Sequence, residues 1–206
     1  MQYRSSISPE ELDNLEYVTF SGEINIIESN GEEFLDAIKY LKRQKVIGFD
    51  TETRPCFSAN QPRYGVALLQ LSGQNSAYLF RVQTIEDLSE LYDVLADENI
   101  LKIGAAVHDD IRGLQKYLSF KSKSFIDLQK IVWEWGIKDK SVKKMAAIIL
   151  NYRISKSQQL SNWEADYLSD SQAQYAATDA WVCREMYLKL LDSKKNPLDI
   201  TIDENK

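Results

Sequence analysis

The sequence predicts an α/β chain, a mixed sheet with helices on both faces. Three observations carry that expectation. Strand-like runs crowd the first 80 residues, helical and strand patterns alternate after them, and no Pro-, Gly- or Ser-rich linker divides the chain. At 206 residues and 44% hydrophobic, it is long enough for one domain with a sizeable core.

Residues 1–17 are polar and expected to be loosely held. Phe20 to Ile27 reads as a strand with Gly22 as its weak point. Glu32 to Leu41 carries Phe34, Leu35, Ile38 and Leu41 at helical spacing. Val46 to Glu52 is the first central strand. Pro55 and Pro62 mark a loop after it, because a central strand tolerates proline poorly. Val66 to Leu71 and Ala77 to Phe80 are two further strands, joined by the turn Ser72-Gly73-Gln74-Asn75. Ile85, Leu88, Leu91, Tyr92 and Leu95 mark a helix with Thr84 as its cap. Leu101 to Ala105 is a strand, and Ile111, Leu114 and Leu118 mark a helix over 108–118. Phe125-Ile126 is a short strand. Ser141 to Leu150 is a helix. The last long helix runs from Ser171 to about Leu191, with Ser171 and Gln174 forming a capping box. The tail, 193–206, is polar, and its Leu198-Ile200-Ile202 alternation reads as an edge strand or a frayed end.

Several classes are excluded by the bulk numbers. No apolar stretch approaches the ~18 residues of a membrane span. The first twenty residues lack the apolar centre of a signal peptide. Two cysteines and one histidine make a disulfide framework or a structural zinc site a poor fit. A reducing, cytoplasmic compartment is the expectation. A net charge of −6 argues against broad charge-driven binding to nucleic acid, but it leaves room for a local acidic pocket.

Acids stand where acids are costly. Asp50 and Glu52 end a strand that should be buried, and the side-chain period of two puts both on one face. In the last helix the apolar stripe Val182, Met186, Leu190, extended backward, passes through Asp179 and Tyr175. An unpaired buried carboxylate costs on the order of several kcal/mol unless it takes a proton or a cation. In the helix over 108–118, Asp110 shares the side of Leu114 and Leu118, whereas Asp109 shares that of Arg112 and Lys116. Each acid has a structural alternative: a Tyr-Asp hydrogen bond in the last helix, a dipole-stabilising aspartate in the other. Convergence of all four would favour an oxygen-rich site for Mg²⁺ or Mn²⁺.

These residues resemble a known family. Phe49-Asp50-Thr51-Glu52, then Lys102-Ile103-Gly104 followed by Asp110 and Leu114, then Tyr175-Ala176-Ala177-Thr178-Asp179, resemble the three motifs of DEDD-type 3′-5′ exonucleases in their tyrosine form. The approach Gln159-Leu160-Ser161-Asn162-Trp163 is similar to that of ribonuclease D and the Werner-syndrome exonuclease domain. The match runs from about Phe20 to Leu190. It implies a ribonuclease-H-like fold with a mixed five- to six-stranded sheet, an exonuclease domain over 18–192, and release of nucleoside 5′-monophosphates from a 3′ end. It implies two ions, Mg²⁺ or Mn²⁺, held by Asp50, Glu52, Asp110 and Asp179. It further implies that Asp110 acts largely through metal-bound water, that Glu52 contacts the terminal 3′-hydroxyl and that Tyr175 positions the attacking water.

Departures from the family are informative. Where the histidine form places its histidine, five before the aspartate, this chain has Gln174, so His108 is not that base. The chain also ends soon after the nuclease core, without the extra helical domains of ribonuclease D. Candidate substrate contacts are Arg54, His108, Lys143, Lys144 and Lys156 for phosphates, and Trp163 for a base. For a single lysine the ordinary alternative is a solvated face, and for a tryptophan it is the core. RNA and DNA fit equally, since contacts to backbone and 3′ end carry little base information. No feature sets an oligomeric state. The competing reading is an inactive binding or scaffold protein on the same fold, which would gain little from clustered acids. A phosphatase is disfavoured by the tyrosine-form third motif.

Overall fold

The computed structural model describes residues 2–58 and 63–198. The expectations for Pro62, Ile200 and Ile202 fall outside these residues. In chain order the elements are α1 (Pro9–Asp13), β1 (Glu23–Ile27), α2 (Glu32–Lys42), β2 (Val46–Thr53), β3 (Val66–Ser72), β4 (Ser76–Phe80) and α3 (Ser89–Ala96). Then come β5 (Leu101–Gly104), α4 (Val107–Leu114), β6 (Phe125–Asp127), α5 (Leu128–Ile131) with a 3₁₀ turn after it, α6 (Val142–Leu150) and α7 (Asp170–Leu191). Six strands form one sheet in the order β1-β4-β3-β2-β5-β6. β2, β3 and β4 are antiparallel neighbours, and the outer pairings are parallel. This is the expected mixed sheet of a ribonuclease-H-like α/β fold.

Strand β2 shows how the period of two builds two faces. Ile47 and Phe49 enter a core with Phe34, Ile38, Leu91 and Leu95 from α2 and α3. Gly48, Asp50 and Glu52 point the other way, toward α7. A Cβ on Gly48 would lie 1.8 Å from the Ala180 carbonyl oxygen. Only glycine lets the helix backbone rest on the strand. Ala173, Ala176, Ala177 and Ala180 keep that side of α7 thin, and all four are buried. Further along α7, Val182, Met186 and Leu190 are fully buried. Each contributes roughly 1.5–3 kcal/mol by leaving water.

The structure differs from the sequence expectations at several places. The opening segment is not loose. Tyr3, Ile7 and Leu12 are buried in a core shared with α5, α6 and α7. Ser8 and Glu11 form a capping box on α1 with Pro9 at its start. The strand expected from Phe20 begins at Glu23, because Phe20 is tied to α7 instead: its N–H donates to Thr178 Oγ1 at 3.0 Å. Leu35 and Leu118 are exposed, off the apolar stripes. α4 stops at Leu114, short of residue 118. Thr84 does not cap α3. Its hydroxyl donates to the Glu28 and Arg81 carbonyls, and the helix begins at Ser89. The capping box of α7 sits on Ser169 and Gln172, two residues before the expected pair. Gln174 is otherwise engaged, donating to the Phe20 carbonyl at 2.6 Å. The tail returns along the 3₁₀ turn, with Leu198 N–H donating to the Trp133 carbonyl.

Candidate active site

Three elements bring acids to the carboxyl end of β2. Asp50 and Glu52 come from β2 and Asp179 from α7, and one carboxylate oxygen of each lies within 4.8 Å of the others. Asp110 arrives from the opposite face of the sheet. Thr51, between the two β2 acids, points to that face, and its hydroxyl donates to Asp110 Oδ1 at 2.5 Å. Asp110 therefore stands beside the trio rather than within it. Asp109 is exposed, as the helical phase predicts.

The start of α4 is fixed by a residue that sequence reasoning missed. Ala106 adopts the left-handed conformation, with φ 61°. Its N–H donates to Asp127 Oδ1 at 2.9 Å, and the same oxygen accepts from Gln129 N–H at 3.0 Å. Asp127 thus pins the β5-to-α4 corner that aims Asp110. The available signal was an aspartate at a strand end opening a helix, the pattern of an N-cap.

The charges are mutually unfavourable. Burial first, then the Asp179, Asp110 and Glu52 charges, hold the Asp50 carboxyl far above the usual carboxylate range. Burial, then Asp179 and Asp110, push Glu52 up to about 9. Burial raises Asp179 to about 7, against the Tyr175 hydroxyl and the Lys156 charge, which both lower it. Burial raises Asp110 to about 6, opposed by the Thr51 hydrogen bond and reinforced by Asp109 and Asp127. Tyr175, one turn before Asp179, has its phenol pushed well above 10 by burial and then by the Asp179 charge. Such a group keeps its proton at any ordinary pH.

This donor set fits a divalent metal ion. All its donors are carboxylate oxygens, which suit hard cations. A bound cation would also remove the repulsion that keeps these groups from ionising.

The trio opens into a cleft of about 280 Å³. Lys143, Ser155, Lys156, Gln159 and Tyr175 line it together with the acids. The structure thus brings Lys143 and Lys156 to the acids. Lys144 is turned away, donating to Asp139 at 3.0 Å. His108 is exposed on the first turn of α4 and does not line the cleft. Arg54 lies beyond the end of β2, 3.6 Å from Glu164 and 4.7 Å from the centre of the Tyr64 ring. Trp163 cannot stack on a base. It is 1% exposed and packs 6.1 Å from the Tyr175 ring, a core residue that positions a site residue. Gln70, opposite Asp50 in the β2–β3 register, is fully buried, with neither amide atom paired among the described residues.

A family model described as 3′-5′ exonuclease matches residues 25–194. Among sequence relatives, exonuclease 3′-5′ domain-containing protein 2 of Drosophila melanogaster is 34% identical over 150 residues, 71% of this chain and 25% of that protein. DNA polymerase I of Aquifex aeolicus is 31% identical over 163 residues, 79% of this chain and 26% of that protein. The chain spans about a quarter of the length of these relatives. The Nibbler EXO domain of Aedes aegypti has the same fold, with a TM-score of 0.74 at 24% identity, over 85% of this chain and 91% of that one. Escherichia coli RNase D superposes with a TM-score of 0.73 at 22% identity, over 82% of this chain and 44% of that one.

Proposed function

The chain belongs to the 3′-5′ exonuclease domain family, and from that premise we propose that it removes nucleotides stepwise from the 3′ end of nucleic acid as nucleoside 5′-monophosphates. One observation carries the reading: the trio of buried and half-buried, mutually repelling carboxylates at the end of the central strand. An inert scaffold would bear their cost without return.

Asp50, Glu52 and Asp179 would hold a first Mg²⁺ or Mn²⁺. Asp50 and Asp110 would contribute to holding a second. When bound, these ions supply Lewis acidity, polarising the phosphodiester and acidifying the attacking water. The chain's own residues do the rest. Lys143 and Lys156 place phosphates against the acids. Glu52 meets the terminal 3′-hydroxyl. Tyr175 keeps its proton, so its hydroxyl orients the water rather than deprotonating it. Asp127 and Thr51 hold Asp110 in place. In the reaction an oxygen–phosphorus bond forms to water. The bond from phosphorus to the 3′-oxygen of the preceding nucleotide breaks, and that oxygen leaves as a hydroxyl.

Among the described residues no helix is long and apolar enough to cross a membrane. Cys183 is buried and Cys56 lies at the surface. This usage supports a reducing, cytoplasmic setting. The test is a 5′-labelled oligonucleotide with Mg²⁺ or Mn²⁺. A descending ladder is expected, abolished by chelator and by a 3′ block. Undiminished cutting in excess chelator sinks the metal reading.

A further inference from the structure

Gln70 stands in the middle of the sheet with nothing to bond. It lies on β3, directly opposite Asp50 of β2 on one side and Leu79 of β4 on the other. Its side chain is fully buried, and among the described residues neither its amide nitrogen nor its amide oxygen has a hydrogen-bond partner. Folded proteins leave few buried polar groups in that state, because each loses its water without replacement. A leucine or methionine would fill the same space without that penalty. No step of the proposed reaction uses Gln70.

Strand pairing says which group the amide can serve. Leu69 and Leu71 enter the core under α2 and α3, so Gln70, between them, points to the other face of the sheet, toward α7. Asp50 points to that face as well. Side chains directly opposite in an antiparallel pair have Cβ atoms about 4.5–5.5 Å apart. The surroundings on that face are otherwise apolar: Leu68, Ala77, Leu79, Ala176 and Ala177 belong to one cluster. Ser72, two residues further along β3, already donates its hydroxyl to the Gly73 carbonyl. Asp50 is the anionic acceptor in the facing position. We propose that Gln70 is a positioning residue of the metal site, its amide donating to the Asp50 carboxylate when that carboxylate holds an ion. The inference rests on the metal-holding reading of the trio. A carboxylate offers about four acceptor sites, so one that holds ions still accepts from an amide. Partners of this kind fix the orientation of a ligand and raise its affinity for the ion. The Gln70 amide is already out of water in the metal-free protein, so pairing with Asp50 requires no further loss of solvent. Removing it should therefore weaken the ion's hold and not the fold.

Gln70→Met keeps the length and bulk of the side chain and removes both polar atoms; Gln70→Leu repeats the test with a branched one. Titration calorimetry with Mn²⁺ and thermal melts in chelator are compared with wild type. Both variants should melt in chelator at or above the wild-type temperature, since they shed two unpaired polar atoms. Both should bind Mn²⁺ about 10- to 100-fold more weakly. In wild type, nuclear magnetic resonance should show one Gln70 side-chain amide proton moving downfield, with slower exchange, as Mg²⁺ is added. A folded Gln70→Met or Gln70→Leu protein that binds Mn²⁺ as tightly as wild type overturns the proposal. So does a Gln70 amide signal that Mg²⁺ leaves unmoved; a trapped water serving the amide would give both results. If neither variant folds, the wild-type amide signal decides. If wild type binds neither ion, the metal reading of the trio itself falls, and the proposal falls with it.

Discussion

Replacing Asp179 by Asn should make the metal-free protein more stable while its activity disappears. Asp179 is 8% exposed, and burial raises its carboxyl to about 7 from an ordinary 3.8. At pH 8 the unfolded chain gains fully from ionising this group, and the folded chain gains little. The difference is on the order of 4 kcal/mol against folding. Relaxation of the site removes part of it, so about 2 kcal/mol is the expected gain in Asp179→Asn. For a chain of this size that raises Tm by about 4–8 °C. The sign follows from the raised pKa: stability is fully present below the unfolded value of 3.8 and is lost as pH rises through about 7. The gap between variant and parent should therefore be small near pH 4 and widen toward pH 8. Asn still accepts a hydrogen bond from Tyr175, so packing is kept. With Mn²⁺ the order should reverse, because only the parent gains from the ion. Turnover should fall at least ~100-fold. Scanning calorimetry at pH 4, 6 and 8, in chelator and in Mn²⁺, reads every part of this. A variant that melts below the parent at pH 8 in chelator would refute the reasoning. Tyr175 and Asp179 would then be a structural pair.

Asp110→Asn should abolish most turnover and Asp109→Asn should be mild, since Asp110 alone receives the Thr51 hydroxyl; rates of the two purified proteins decide. Tyr175→Phe keeps the ring against Trp163 and should cost about 10-fold in turnover, with Tm and Mn²⁺ affinity little changed by melt and titration. Gly48→Ala should cost at least about 1–3 kcal/mol, because its Cβ meets backbone at Ala180. Mn²⁺ affinity should fall with it as Asp179 is lifted from β2, which titration calorimetry reads directly.

Much of the site was legible because it obeys simple periods. Asp50 and Glu52 share a face at a period of two, and Tyr175, Asp179, Val182, Met186 and Leu190 share one at the helical period. The choice of Asp110 over Asp109 needed only helical phase. What was not legible depended on tertiary partners. Ser169 and Ser171 both have a glutamine three residues on. The first pair wins because Gln172 also meets Ser161 and Asn162, while Phe20 occupies Gln174. Trp163 reads the same as a stacking surface or as core until its burial is seen. Residues 1–17 hide their anchors, Tyr3, Ile7 and Leu12, among polar neighbours, although Ser8-Pro9-Glu10-Glu11 was a legible helix start. Thr51 acts through a contact to another element that no local pattern encodes, and the N-cap pattern at Asp127 gives no sign that it also holds Ala106.

The third carboxylate of the trio comes from the last helix, and that has a consequence in time. During synthesis Asp50 and Glu52 emerge first, and Asp179 follows them by more than 120 residues. Until α7 docks through its alanine face and Gly48, β2 has nothing across from its acids, and the trio does not exist. Such distant contacts form late in folding. A nascent chain stalled before residue 170 therefore carries two of the three acids and no cutting site. The ribosome is built of the kind of polymer this domain is proposed to degrade. It would meet the finished nuclease only once α7 had emerged and docked.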